Sequence, residues 1–320
     1  IVAYKSFLHQ APEGREKEFV GLTMANDAEI LVGMREIAKT GLMMASHAEN
    51  NDLITYNIAK MRAEGHTKPL DHCKSRPPIT EDSTVAKLIM FAKETGCTLE
   101  LAHMSTVESM ELARKARFEG QKVFVETCPH YLHFTRDVFK REDGRNFVCS
   151  PPMKGQESLD ALWEAVKRGD VDTIATDHCP FQSYEKDWGK DDFTKIPNGC
   201  AGIENMYPYM LSAANEGKIT FNKAVELCSY NPAKIFGCDA KGAIEVGKDA
   251  DIVIYDPTKD FTITNDKMHS DCDHTIWEGI KVKGYPEATY SRGKLVFKDG
   301  EFLGERGWGK FIKRSSSGNL

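Results

Sequence analysis

Five short, β-rich apolar runs in this chain each finish on a residue that can bind a metal or carry a proton. The runs cover 1–5, 41–47, 98–103, 122–126 and 171–177, and they end at Lys5, His47, His103, Glu126 and Asp177. Between them, 26–40, 50–64, 82–95 and 106–118 carry apolar residues at three- and four-residue spacing, as at Ile30, Met34, Ile37 and Ala38. Asn26 and Asp82 read as N-caps, Gly41 and Gly96 as C-caps. Strand–helix–strand alternation predicts a parallel sheet with helices outside it, and near-continuous apolar strands predict burial of both faces. Chemistry-bearing residues at the C-terminal end of strand after strand are the pattern of a (β/α)8 barrel, whose site lies at that end. A doubly wound sheet would gather its ligand at one switch point, usually on a Gly-rich turn. The chain has no G-x-G-x-x-G and no P-loop.

At ~150 residues per domain, 320 residues make about two domains, or one barrel with an appendage. The expected fold is therefore α/β, a (β/α)8 TIM-type barrel over 1–240 with a small β-sandwich-like unit over 241–320. Five strand ends out of a barrel's eight, and a start at Ile1 that reads as a strand entered midway, lead us to expect native sequence upstream. Beyond the runs, 205–217 and 222–237 are helical by pattern. The texture then changes near Gly237–Lys241 to strands and turns, with turns at Gly293-Lys294 and Lys298-Asp299-Gly300. Hydrophobic residues at 41% and charged residues at 28% exclude wholesale disorder. A net charge of −6 without a basic tract argues against nucleic acid as the main partner. No apolar run approaches the ~18 residues of a membrane helix. Nine cysteines scattered without a CxxC pair read as reduced thiols, which places the chain in the cytoplasm.

Neutral imidazole is the commonest protein ligand for zinc. One histidine at a strand end is more often structural. Two at equivalent places on successive strands, His47 and His103, converge on one axial point. Asp177 follows Ile174-Ala175-Thr176, where a carboxylate needs a partner or a metal. The bland alternative, a helix cap, is opposed by Pro180 soon after. Lys5 follows Val2-Ala3-Tyr4, and a buried lone ammonium tends to lose its proton. A neutral lysine amine can take up carbon dioxide as a carbamate, an anionic ligand able to bridge two metals. On its own, Lys5 reads better as an ordinary lysine at a strand edge.

Several strings together carry a resemblance. They are Ser46-His47-Ala48-Glu49-Asn50, Glu126-Thr127-Cys128-Pro129-His130-Tyr131-Leu132, Thr176-Asp177-His178-Cys179-Pro180-Phe181, Asp192-Phe193-Thr194-Lys195-Ile196-Pro197-Asn198-Gly199 and Lys241-Gly242-Ala243-Ile244-Glu245-Val246-Gly247-Lys248-Asp249-Ala250-Asp251. In this order they resemble the hydantoinase/dihydropyrimidinase branch of the amidohydrolase superfamily, from residue 5 to about 314. Allantoinases and dihydroorotases are near relatives. The resemblance implies two zinc ions in the barrel. Lys5 would be the carboxylated bridging lysine, His47 and His103 would hold the second metal, and Asp177 would hold the first and shuttle the proton. The backbone at Ser150 and Asn198 would hold a cyclic amide or imide. It also implies a homo-oligomer, a dimer or tetramer, acting on a small cyclic ureide. His130 and His178 are expected to support the site or the fold, and Cys128 and Cys179 to pack.

Three features depart from the family pattern. No two of the ten histidines recur at a spacing of two, so the family's first-metal His-x-His pair is expected upstream of Ile1. The slot of the family's tyrosine, five residues after the bridging lysine, is Gln10. An alternative alignment gives Tyr4 that role and puts the bridging lysine just before Ile1; Tyr4-Lys5-Ser6-Phe7-Leu8 favours Lys5. The third is a charged insertion over 9–24, a solvated loop or a substrate lid. The implied chemistry is attack of a zinc-bridged hydroxide on a ring carbonyl, with Asp177 as base and then acid. Allantoinase- or dihydroorotase-like hydrolysis, a mononuclear deaminase-like enzyme and a non-catalytic scaffold are the alternatives.

Overall fold

In a computed structural model of the chain, residues 1–9, 16–17 and 19–315 are described. Gln10 and most of the charged part of the 9–24 insertion lie outside the described residues. The chain forms two compact units, Ile1–Cys200 and Ala201–Leu320.

The first unit is a parallel sheet with helices between its strands. The strands are β1 (Ala3–Phe7), β2 (Met43–His47), β3 (Thr98–Leu101), β4 (Val123–Thr127) and β5 (Thr173–Ile174), adjacent in the order β1-β2-β3-β4-β5. An order that never reverses has no switch point, which removes the doubly wound alternative. Met43, Met44, Leu99, Leu101, Val123 and Val125 are buried, as strands covered on both faces require.

The helices follow from local signals. Asn26 caps α1 (Asp27–Lys39) by accepting from Glu29 N, and Asn50 caps α2 (Asn51–Ala63) by accepting from Leu53 N. The short α3 (Pro69–Ser75) was not expected from the pattern; seven residues are too few to show a period. Helix α4 (Pro78–Thr95) starts four residues before the predicted cap at Asp82. Pro78 fits a first helical position, and Gly96 closes the helix at φ 69°. The Asp82 carboxylate instead accepts from Thr106 Oγ1 (2.5 Å) and Ser109 Oγ (2.9 Å) at the start of α5 (Val107–Phe118). Helix α6 (Gln156–Arg168) and the single turn α7 (Ser183–Lys186) follow in this unit.

Strand β1 corrects one expectation. It runs on to Phe7, because Phe7 pairs with His47 in register and Phe7 N donates to Leu22 O at 2.8 Å. Lys5 is therefore mid-strand, opposite Ala45, and not at a strand end.

In the second unit, β6 (Ile252–Thr262), β7 (Lys281–Ser291), β8 (Lys294–Lys298) and β9 (Glu301–Phe302) form one antiparallel sheet in sequence order. It is the antiparallel unit expected after the barrel segment. Arg292-Gly293 and Asp299-Gly300, all at positive φ, make two-residue reversals that add each strand in the plane of the last. Helix α8 (Met206–Asn215) backs this sheet. Ser212 Oγ accepts from Lys283 N at 2.8 Å, and Asn215 Nδ2 donates to Pro257 O and Lys283 O. These bonds place α8 with the sheet, in the unit that begins at Ala201, ahead of the change of texture near Gly237–Lys241.

Candidate active site

His47 ends β2 and is buried, and the residue two further on turns back toward it. His47 Nε2 stands 3.1 Å from Glu49 Oε2, so the ring donates there and keeps the lone pair of Nδ1 on its other side. That Nδ1 faces His103 Nε2 at 3.1 Å. Glu49 is fully enclosed. Burial pushes its carboxyl up, but the His47 hydrogen bond and the Arg76 charge prevail and hold it at about 2. His103 lies two residues past β3 at φ 46°, a left-handed conformation uncommon outside glycine. Its main-chain N–H donates to Glu126 Oε1 at 3.2 Å, and burial, with Lys5 and His47 nearby, keeps its imidazole well below the ordinary value and hence neutral. Glu81 of α4 fixes the loop that follows. Its buried carboxylate accepts from Ser105 N (3.0 Å), Ser105 Oγ (2.6 Å) and Thr106 N (3.1 Å).

Asp177 lies three residues past β5, also left-handed at φ 45°. It is open to solvent on one side. The protein packed around it raises its carboxyl, while Lys5 and then His47 pull it back. Lys5 is exposed, against the expectation of a buried ammonium. Its register places it on the face of the sheet that carries His47, with Nζ 5.8 Å from the Phe7 ring centre. The Lys5 charge acts on His103, Glu100, Glu126 and Asp177, so all five lie around one space. Glu100 is buried and Glu126 half-buried; burial raises both carboxyls, and the Glu126 charge adds to it at Glu100 and the Asp177 charge at Glu126, against the pull of Lys5. Glu49 Oε1, Glu100 Oε1, His103 Nδ1 and His130 Nε2 are buried without a hydrogen-bond partner among the described residues. Buried polar atoms left without a partner mark room for an ion, a water or a ligand.

Ser150 and Asn198 are 48 residues apart and in contact, Ser150 Oγ donating to Asn198 Oδ1 at 3.3 Å. Gly199 N donates to Val148 O at 2.9 Å, and Cys179 N donates to Cys200 O at 3.1 Å, which ties the Asp177 turn to the Asn198 loop. A Cβ on Gly199 would stand 2.4 Å from Cys179 O, so only glycine permits this approach. On the other flank, His72 Nε2 donates to Cys149 O at 2.9 Å. Its Nδ1 meets Arg76 Nη1 at 3.1 Å, and Arg76 Nε lies 3.7 Å from Glu49 Oε2. A continuous polar chain thus joins His47 to the backbone before Ser150.

The structure brings His47 and His103 together, sets Lys5 and Asp177 around them, and brings Ser150 to Asn198. His130 is buried beneath, its ring edge-on to Tyr131; Cys128 is buried and Cys179 exposed. The sequence reading missed Glu49, His72, Arg76, Glu81 and Glu100. Glu49 stood inside a quoted motif, two residues from His47. His72 lies within a helix too short to show and Arg76 just after it, and Glu100 looked like an interruption of an apolar strand. Nothing local marks Glu81.

The Amidohydrolase family profile matches residues 19–296. The D-hydantoinase of Ralstonia pickettii is 38% identical over 299 residues, 92% of this chain and 65% of that protein. The D-hydantoinase of Rhizobium radiobacter is 36% identical over 299 residues, with the same two shares. The chain spans 65% of the length of these curated relatives. Among solved structures, a D-hydantoinase superposes with a TM-score of 0.93 at 36% identity, covering 99% of this chain and 68% of that one. A dihydropyrimidinase from Brevibacillus agri gives 0.93 at 35%, with the same coverage. No helix among the described residues is long and apolar enough to cross a membrane.

Proposed function

The chain belongs to the amidohydrolase family, and on that premise we propose that it opens a cyclic amide, a hydantoin or dihydropyrimidine, by metal-dependent hydrolysis. The observation that carries this reading is the His47–His103 pair: two nitrogens face each other at 3.1 Å with Glu49 behind the first. Two nitrogens ~2.0–2.1 Å from one tetrahedral ion stand roughly 3.3 Å apart, so the pair fits a shared cation. A histidine held by a carboxylate from behind is the usual build of such a ligand. The orphaned Oε1 of Glu100, and the left-handed His103 and Asp177, support the same reading.

In this proposal His47 and His103 hold one divalent ion and Asp177 the other, and imidazole with carboxylate suits zinc. Lys5, as a carbamate, would bridge them. When bound, such a pair supplies a water of low pKa and polarises the scissile carbonyl. Asp177 takes the proton of the attacking water and returns it to the ring nitrogen as the C–N bond breaks. Ser150 and Asn198 present main-chain groups to the ring amide and hold its plane. Water is consumed, the ring opens, and an N-carbamoyl amino acid or its homologue leaves. The closed (β/α)8 barrel, supported by the unbroken strand order, and a homo-oligomer belong to the same proposal.

The test is metal content per chain, intact mass and turnover in the purified full-length protein. Two ions, an added mass of one carbon dioxide at the Lys5 peptide, and hydrolysis of hydantoin or dihydrouracil are expected. One ion without the added mass would point to a mononuclear enzyme, and no metal to a scaffold. Added mass on another lysine removes Lys5 from the bridge. Asp177→Asn is expected to lower kcat by ~10²–10⁴ with the fold intact.

A further inference from the structure

Lys186 ends α7, and its side chain is wholly buried. Its ammonium donates to Val148 O at 3.0 Å, Pro197 O at 2.7 Å and Gly199 O at 2.7 Å, three carbonyls for an ammonium's three hydrogens. A buried ammonium is costly, and a methionine would fill the same space without the charge. Core packing therefore does not explain it, whereas the identity of the three carbonyls does. Pro197 and Gly199 bracket Asn198, and Val148 stands two residues before Ser150. The loops also touch directly, Gly199 N donating to Val148 O, and 148–150 is held again at Cys149 O by His72; among the described residues, Lys186 is the side chain that grips both loops from a separate element. A flat, rigid cyclic amide needs its donor and acceptor contacts at one fixed separation, and here that separation is the distance between two loops.

We propose that Lys186 is a positioning residue that fixes the spacing of the Ser150 and Asn198 loops, and thereby the affinity of the site for a ring amide. The inference rests on the reading of Ser150 and Asn198 as the positions that hold the ring. The experiment is Lys186→Met in the full-length, metal-loaded enzyme, read in two ways. Amide exchange at 148–150 and 197–200 is expected to quicken about tenfold while the rest of the sheet keeps its protection. KM for hydantoin or dihydrouracil is expected to rise about tenfold, with kcat within about threefold and metal content unchanged. Should the methionine variant not fold, Lys186→Gln, which keeps one donor group, is expected to give intermediate changes in both. Unchanged exchange at the two segments overturns the proposal, as does an unchanged KM in a folded variant. Exchange that responds as expected, in a protein whose unsubstituted form hydrolyses no cyclic amide, upholds the clamp and sinks the proposed substrate instead.

Discussion

At the level of single residues, burial decides more here than charge count. His130 is buried, and burial alone takes its imidazole down to about 3 from 6.5. The unfolded chain then binds a proton first as the pH falls, so stability is whole above 6.5 and declines from there toward 3. At pH 5 the deficit reaches about 2 kcal/mol. Because the raised Glu100 and Glu126 carboxyls act with the opposite sign over the same range, the test is the difference: the change in stability from pH 7 to pH 5, read by denaturant titration, is expected to be about 2 kcal/mol less favourable in the native sequence than in His130→Phe, and an equal change in both would assign the acid sensitivity elsewhere. Glu49 makes the complementary case. Glu49→Gln keeps the shape but weakens the grip on His47, and chelator competition is expected to show metal affinity down 10–100-fold. Affinity unchanged would mean that Glu49 serves Arg76 alone.

Among the elements, α4 does most to place the chemistry, through one carboxylate at its first turn. Truncating Glu81→Ala would strand two main-chain donors and the Ser105 hydroxyl, at a cost of about 3 kcal/mol in urea unfolding. It would also free the loop behind His103, so turnover is expected to fall further than stability alone accounts for. A loss below 1 kcal/mol would show that water replaces the carboxylate there. This level also shows where sequence was readable. His47, His103 and Asp177 were visible because each breaks an apolar run where a strand gives way to a turn. Lys5 was misplaced because Phe7, aromatic and strand-forming, extends β1 past it. Lys186 left no trace, since its partners are carbonyls, which every residue has. The antiparallel sheet of the second unit was half legible: Gly293 and Gly300 announced its turns, but turn chemistry does not say whether a second layer faces it.

For the molecule as a whole, the expected ions and the fold stabilise each other. An ion at 100 times its Kd adds about 2.7 kcal/mol to the native state, so chelation is expected to lower the calorimetric Tm, and added zinc to restore it. A Tm indifferent to chelator would argue that the site holds nothing. The first unit's ladder bears on synthesis as well. Because each of these five strands lies beside the one made just before it, they can pair in the order in which they leave the ribosome. A nascent chain arrested after β3 should already carry a paired β1-β2-β3 ribbon.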